Sequence, residues 1–397
     1  MNKKHRILFL TQSFIRYKED VSSAYLFVLA RRLSKLGQQV VVLAPHQEGL
    51  KKYEVIDGLE IYRFKYMWDE YEKLAYSGNM QEMVRKNVFN KILFCFFLFS
   101  FLFKGLGLVK RLNINLIHAH WWIPSGLIGA VLSFLCQKPL VITSHGTDLT
   151  IIENSKAFLL VARKVFQKSN YVTVVSNFLK NKLISKTGLA EEKVGVIPMP
   201  VNSEKIKFLD KKEKNKKKII LSVARFTKQK RLDVLLEALP RLRDGKLDFE
   251  AWLVGDGPEK DNLVSLTRKL NLSSQVRFFD LVPQSSLNEF YNICDICVLV
   301  SVDEGFGLVL AEALLCKKPV IGADSGGIVD IIQNGITGIL IPPDDASTLA
   351  DAICKLLTNE ELARRLADSG HDFVCNNLTP EIIAEKFATI YRRILND

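Results

Sequence analysis

The chain has 397 residues, 48% of them hydrophobic and 25% charged, with a formal net charge of +12. That length exceeds one ordinary core and predicts roughly two to three domains, and the composition excludes a disordered or low-complexity chain. Residues 1–200 hold 28 Lys and Arg against 14 Asp and Glu, while residues 201–397 hold 27 against 29, so any anionic partner, membrane lipid or nucleic acid, would meet the first half.

In chain order, the basic start at residues 1–6 runs into apolar residues 7–10 and then polar Thr11-Gln12-Ser13. This reads as a first strand, not a signal peptide. An amphipathic stretch over 24–36, closed by Gly37, predicts a helix; further strands are expected at 40–43, 116–118, 140–143, 171–175 and 194–197. The apolar run 92–103 would be about 18 Å long as a helix, too short for a bilayer core of roughly 30 Å. It reads as the mostly buried helix covering the strand at 116–118, which is favoured, or as an exposed phenylalanine-rich face at a membrane interface. Flanking Lys86, Lys91, Lys104, Lys110 and Arg111 fit the second reading. Pro198 and Pro200 end the half, and the lysine-rich stretch 205–218 reads as exposed loop.

The same pattern restarts with strands at 219–223, 251–254, 276–278, 296–299, 320–323 and 339–341, and a helix over 232–242. Residues 381–395 predict a tail helix packing across both domains. Repeated βαβα order predicts an α/β fold of two Rossmann-like domains, residues 1–197 and 203–379, with 380–397 crossing back to the first. Their parallel sheets are expected to face each other across a central cleft, because ligands of such sheets sit outside the carboxyl ends of the strands. The seven cysteines, odd in number and scattered, fit a reducing compartment; Cys294 and Cys297 read as two packed thiols near a strand.

Four motifs follow strands of the second half. Arg225 and Lys230 lie five apart in a strand-to-helix turn and suit a diphosphate, whose charge they would stabilise as it leaves. Gly255-Asp256-Gly257-Pro258 shapes the same rim, Pro258 being placed to start a helix. Glu304-Gly305-Phe306-Gly307-Leu308 opens a small-residue helix carrying Glu312, and Ser325-Gly326-Gly327 marks another helix start. Backbone N–H groups at such helix starts attract anions, and carboxylates accept hydrogen bonds from neighbouring sugar hydroxyls. In the first half, His145 directly follows a strand and so lies at its carboxyl end. His118 and His120 are expected to face opposite ways, with His120 further out toward the cleft. No carboxylate or cysteine at ligand spacing accompanies them, so no metal site is expected.

In order and spacing, Arg225-x4-Lys230, Gly255-Asp256-Gly257-Pro258, Glu304-x7-Glu312 and Ser325-Gly326-Gly327 resemble the retaining GT-B glycosyltransferases of "group 1", or family 4, over nearly the whole chain. The resemblance implies a metal-independent hexosyltransferase that keeps the anomeric configuration, with catalytic His145, Glu304, Arg225 and Lys230. Donor contacts would come from Gly255, Gly257, Gly305, Phe306, Gly307, Leu308 and Glu312: Arg225 and Lys230 on the diphosphate, Glu312 on the ribose, Glu304 on the sugar. Ser22, Ser23, His120 and Trp121 would form the acceptor side. The chain departs from the family pattern at Asp20-Val21-Ser22-Ser23-Ala24, where many members have Gly-Gly and where Ser22 and Ser23 are expected to cap the helix. It departs again at Arg231 and Asp280, in place of frequent glycines.

The implied co-substrate is a UDP-, GDP- or ADP-sugar, with no cofactor. The acceptor would be a glycan or lipid-linked glycan of envelope polysaccharide or glycolipid synthesis, and the enzyme cytoplasmic, with peripheral attachment to the anionic inner face of the cell membrane as one reading of the basic half. A sugar-nucleotide epimerase or phosphorylase on the same fold is the alternative. A basic nucleic-acid-associated protein is the alternative of another class; nucleic acid is not expected, because the basic half lacks the aromatic–basic motifs of the usual modules.

Overall fold

The computed structural model describes residues 5–20, 22–76, 80–153, 155–210 and 217–396. Residues 1–4 of the basic start, Val21, and residues 211–216 of the lysine-rich stretch lie outside them. The chain forms two compact units, Met1–Pro198 with Pro380–Asp397, and Met199–Thr379.

In the first unit, β1 (Arg6–Leu10), β2 (Gln39–Pro45), β3 (Tyr53–Ile56), β4 (Leu59–Phe64), β5 (Leu116–His120), β6 (Leu140–Ser144), β7 (Tyr171–Val174) and β8 (Val194–Val196) form one sheet in the order β3-β4-β2-β1-β5-β6-β7-β8. Ile7, Leu8, Phe9 and Leu10 are all fully buried, as befits a central parallel strand covered on both faces. Every pairing is parallel except β3–β4, an antiparallel edge hairpin turning at Asp57 and Gly58, both at positive φ. The hairpin adds to the parallel sheet read from the sequence. The α-helices along this part of the chain, among the described residues, are α1 (Ala24–Lys35), α2 (Met80–Lys86), α3 (Val88–Arg111), α4 (Leu127–Cys136), α5 (Leu149–Glu153), α6 (Lys156–Lys168) and α7 (Asn177–Thr187).

Two expectations fail here. The apolar run belongs to the 24-residue α3, twice the length of the run itself, and only Leu93, Phe97, Phe101, Gly105, Leu108 and Val109 of it are buried. It is therefore not a mostly buried covering helix: with only one side on the sheet, the opposite row of phenylalanines stays exposed. Ser23 occupies the N-cap of α1 in the left-handed region and makes no side-chain cap bond among the described residues. The turn takes its order instead from Asp20, which accepts from the Ser22 N–H at 3.2 Å and pairs with Arg16 at 2.7 Å.

The second unit holds β9 (Lys218–Val223), β10 (Phe249–Val254), β11 (Val276–Phe279), β12 (Ile296–Leu299), β13 (Val320–Ala323) and β14 (Ile339–Ile341), all parallel, in the order β11-β10-β9-β12-β13-β14. Its helices are α8 (Leu232–Asp244), α9 (Lys260–Lys269), α10 (Gln284–Ile293), α11 (Leu308–Leu315), α12 (Ala346–Thr358) and α13 (Glu360–Asn377). Their apolar stripes close the core around Leu235, Leu239, Leu253, Val298 and Ile353. Cys294 and Cys297 are buried free thiols, and burial pushes Cys294 up to about 12. The last helix, α14 (Pro380–Leu395), belongs to the first unit, where Ile383, Phe387 and Tyr391 join Leu26, Leu29 and Leu33 of α1 in one core.

Candidate active site

Strand order picks out a candidate site in each unit. In the second, the chain runs outward one way from β9 through β10 to β11 and the other way from β12 through β13 to β14, so β9 and β12 flank the point where the winding reverses. Loops leaving the carboxyl ends of such strands diverge and open a crevice. The loop after β9 carries Arg225 and Lys230, and the loop after β12 carries Glu304 to Gly307. Lys230, at the end of the short turn Lys228–Lys230, forms an ion pair with Glu304. Gln229 ties the same loops together: its backbone oxygen accepts from the Val302 N–H at 3.0 Å and its side-chain amide donates to the Asp303 oxygen at 2.9 Å.

The glycines of this rim act as scaffold. A Cβ on Gly255 would fall 1.9 Å from the Ala224 oxygen, and one on Gly257 2.4 Å from the Phe226 oxygen. Bare backbone is what lets the loop after β10 lie against the Arg225 loop, where the Phe226 N–H donates to the Asp256 oxygen at 2.9 Å. The Gly255 N–H itself donates to Phe279, so its contribution is this close approach. On the other side, Ser325-Gly326-Gly327 presses on the glutamate loop: the Gly327 N–H donates to the Glu304 oxygen at 2.7 Å, and Ser325 Oγ accepts from the Asp303 N–H at 3.2 Å. The helix that this turn starts is a short 3-10 one, Gly326–Asp330.

Gly307, at φ +95, is the N-cap of α11, and Phe306 is buried beneath the loop. The first N–H groups of α11, the positive end of the helix, thus follow four residues after Glu304 in the loop that Lys230 pairs with. Glu312 lies deeper, at 4% exposure. Its carboxylate accepts from Tyr291 Oη at 2.7 Å and Gln284 Nε2 at 3.1 Å, and burial raises its affinity for a proton despite these donors. Arg231 sits at φ +49, ψ +39, which explains why a glycine suits this place; here the guanidinium pairs with Asp233 and Asp344. Asp280 is exposed and pairs with Lys260 at 2.5 Å.

In the first unit the winding reverses between β1 and β5, and the corresponding loops gather the other residues. His118 and His120 do not face opposite ways. Their rings lie 4.2 Å apart, because residues two apart on a strand share a face. His118, fully buried, meets Tyr391 Oη at 2.6 Å and Thr143 Oγ1 at 2.7 Å. His120, equally buried, meets His145 Nε2 at 3.2 Å through Nδ1, and its Nε2 has no hydrogen-bond partner among the described residues. His145 continues to Tyr25 Oη at 3.4 Å and stacks obliquely on Trp121, ring centroids 4.6 Å apart. Burial pushes both His118 and His145 down to about 3, the His145 ring adding to the effect on His118. Burial likewise holds His120 well below the ordinary histidine value. All three rings are therefore neutral near pH 7, able to orient or accept but not to serve as cations. Ser22 and Ser23 lead into α1, whose Tyr25 reaches this cluster.

Sequence reasoning missed Asp148. Its buried carboxylate accepts from the backbone N–H groups of Trp122, His145 and Gly146 at 2.9–3.2 Å and from Ser144 Oγ at 2.8 Å. It fixes the turn that presents His145. Tyr291, Gln284 and Gln229 were missed as well; of the four, only Asp148, three residues past a histidine at a strand end, carried a local signal.

Residues 204–373 match the family described as Glycosyl transferases group 1, and residues 22–205 that described as Glycosyltransferase Family 4. An N-acetyl-alpha-D-glucosaminyl L-malate synthase of Bacillus anthracis is 30% identical over 306 residues, 74% of this chain and 78% of its own. The chain belongs to the group 1 glycosyltransferases. This glycosyltransferase is also 25% identical, over 93% of both chains, to the putative teichuronic acid biosynthesis glycosyltransferase TuaC of Bacillus subtilis. Its fold matches that of Anabaena HepE, crystallised with UDP-glucose, at a TM-score of 0.76 and 20% identity, covering 98% of this chain and 99% of that one. Two Rossmann-like units with parallel sheets make the fold GT-B.

Proposed function

We propose that this glycosyltransferase moves a hexose from a nucleotide sugar to an acceptor hydroxyl with retention of the anomeric configuration and without a metal. The observation that carries the reading is the Lys230–Glu304 pair at the reversal point of the second unit, on the loop that leads into α11, with Arg225 on the Lys230 loop. Arg225 and Lys230 would bind the diphosphate and offset its growing charge as the glycosidic bond breaks, a stabilisation larger in the transition state than in the ground state. The α11 N–H groups would hold a phosphate oxygen. Glu304, oriented by Lys230, would accept from sugar hydroxyls, and Glu312 from the ribose. In the first unit, neutral His145 would orient the reacting groups from the turn that Asp148 fixes.

The acceptor class we favour is a glycan or lipid-linked glycan of envelope polysaccharide or glycolipid synthesis, supported by the similarity to TuaC. Transfer with the donor that stabilises the protein, followed by proton NMR of the product and repetition in EDTA, tests the reading. Retained configuration and full activity in EDTA are expected; inversion or loss of activity on chelation overturns it.

A further inference from the structure

We propose that the outward face of α3 docks in the plane of an anionic phospholipid bilayer. The helix carries two opposed rows. The inner row, Leu93, Phe97, Phe101 and Leu108, is at most 3% exposed, and Phe97 and Phe101 pack on Phe64 of β4 with ring centroids 4.8 and 4.4 Å away. The outer row, Ile92, Phe96, Phe99 and Phe103, is 53%, 48%, 60% and 67% exposed. Spacings of four, three and four make it one stripe along the helix. At its N-terminal end Phe89 meets the ring of Tyr71 at 5.6 Å, beside Trp68, which is 70% exposed; Trp and Tyr suit the boundary between headgroups and acyl chains.

By length and composition α3 could cross a membrane. Its inner row is held to β4, however, so lipid can reach it from one side only, and it lies in the surface instead of spanning it. Charge selects the occupant. Met80–Arg111 carries Arg85, Lys86, Lys91, Lys104, Lys110 and Arg111 against one acid, Glu82. Lys104 and Arg111 lie over the Tyr62 ring of β4 and Lys86 pairs with Glu82, while Arg85, Lys91 and Lys110 are exposed; a second copy of the chain presenting this net positive face would be repelled, whereas a bilayer of anionic lipid is attracted to it. The proposal goes beyond glycosyl transfer and does not depend on it.

The test is flotation of the full chain with phosphatidylcholine vesicles with and without phosphatidylglycerol. Binding is expected only with phosphatidylglycerol, weakening at about 0.5 M salt. Replacing Phe96, Phe99 and Phe103 together by Ser is expected to weaken binding at least about tenfold while leaving the melting temperature no lower, since these side chains contact water. A Phe99→Trp variant, independent of that triple change, is expected to show blue-shifted emission on the same vesicles. Absence of binding to phosphatidylglycerol vesicles, an unshifted emission spectrum of the Phe99→Trp variant, or a lipid-free dimer that the triple variant disperses would each overturn the proposal.

Discussion

Replacing Gly255 by Ala tests the backbone on which the proposed donor site depends. The new Cβ would lie 1.9 Å from the Ala224 oxygen and 3.3 Å from Phe226 Cε1, so the loops after β9 and β10 must part by roughly 1.5 Å to reach ordinary contact. Gly335 is the control: its φ is +74, yet beyond its chain neighbours no atom of the described residues lies within 4 Å of its Cβ position. Gly335→Ala should cost backbone strain alone, about 1 kcal/mol. Gly255→Ala should add overpacking for a total of about 3 kcal/mol. For a unit of this size the difference of about 2 kcal/mol amounts to about 4–8 °C in Tm. Because the displaced loop carries Arg225 and Lys230, nucleotide-sugar affinity measured by calorimetry should fall about tenfold in Gly255→Ala and stay unchanged in Gly335→Ala. Equal Tm values for the two variants, or wild-type affinity in Gly255→Ala, would refute the reasoning.

Other outcomes rest on the buried polar groups. Glu312→Ala is expected to weaken nucleotide binding and, by leaving the Tyr291 hydroxyl and the Gln284 amide unpaired, to lower stability by about 2 kcal/mol; adding Tyr291→Phe should restore part of the stability but not the binding, read by denaturation and calorimetry on the same samples. Unfolded histidine takes up a proton near 6.5, but folded His118 and His145 do so only near 3. Their contribution is therefore full above pH 6.5 and lost as the pH falls toward 3, each steepening the decline by about 1.4 kcal/mol per pH unit. Urea midpoints across that range check this, and His118→Asn should flatten the profile by one proton. Asp148→Asn, which turns an amide N–H toward backbone donors, should lower kcat more than donor affinity, because it misplaces the His145 turn and leaves the second unit alone.

The parallel core was legible because its strands are short β-branched runs at the spacing of βαβ units; 296–299, 320–323 and 339–341 coincide with β12, β13 and β14. The β3–β4 hairpin escaped because β3 exposes one face and β4 carries Glu60 and a buried Arg63, so polar and charged residues interrupt the apolar signal, although Asp57-Gly58 is a hairpin turn sequence. The length of α3 was misjudged because hydrophobicity marked only its middle, whereas the helix begins at an Asn87 cap and runs on through Gly105 and Gly107; at Gly105 a close approach to Leu132 of α4 needs a small residue. The motif residues of the second unit could be named because they punctuate strand ends. Their supporting partners could not: Gln284 and Tyr291 reach Glu312 across 28 and 21 residues, and no local pattern records such a meeting. The histidine pair was misread through its period, since positions 118 and 120 share a face.

The central claim is that Arg225 and Lys230 hold the diphosphate of a nucleotide sugar on the second unit. Thermal-shift screening of UDP-, GDP- and ADP-sugars identifies the donor, since ligand binding raises the melting temperature by mass action. Titration of that donor into wild-type, Arg225→Ala and Lys230→Ala protein is then the direct measurement. The account predicts that one class of nucleotide sugar stabilises the protein and that each substitution weakens its binding by about tenfold or more. No stabilisation by any of the three classes, or unchanged affinity in both variants, would contradict it.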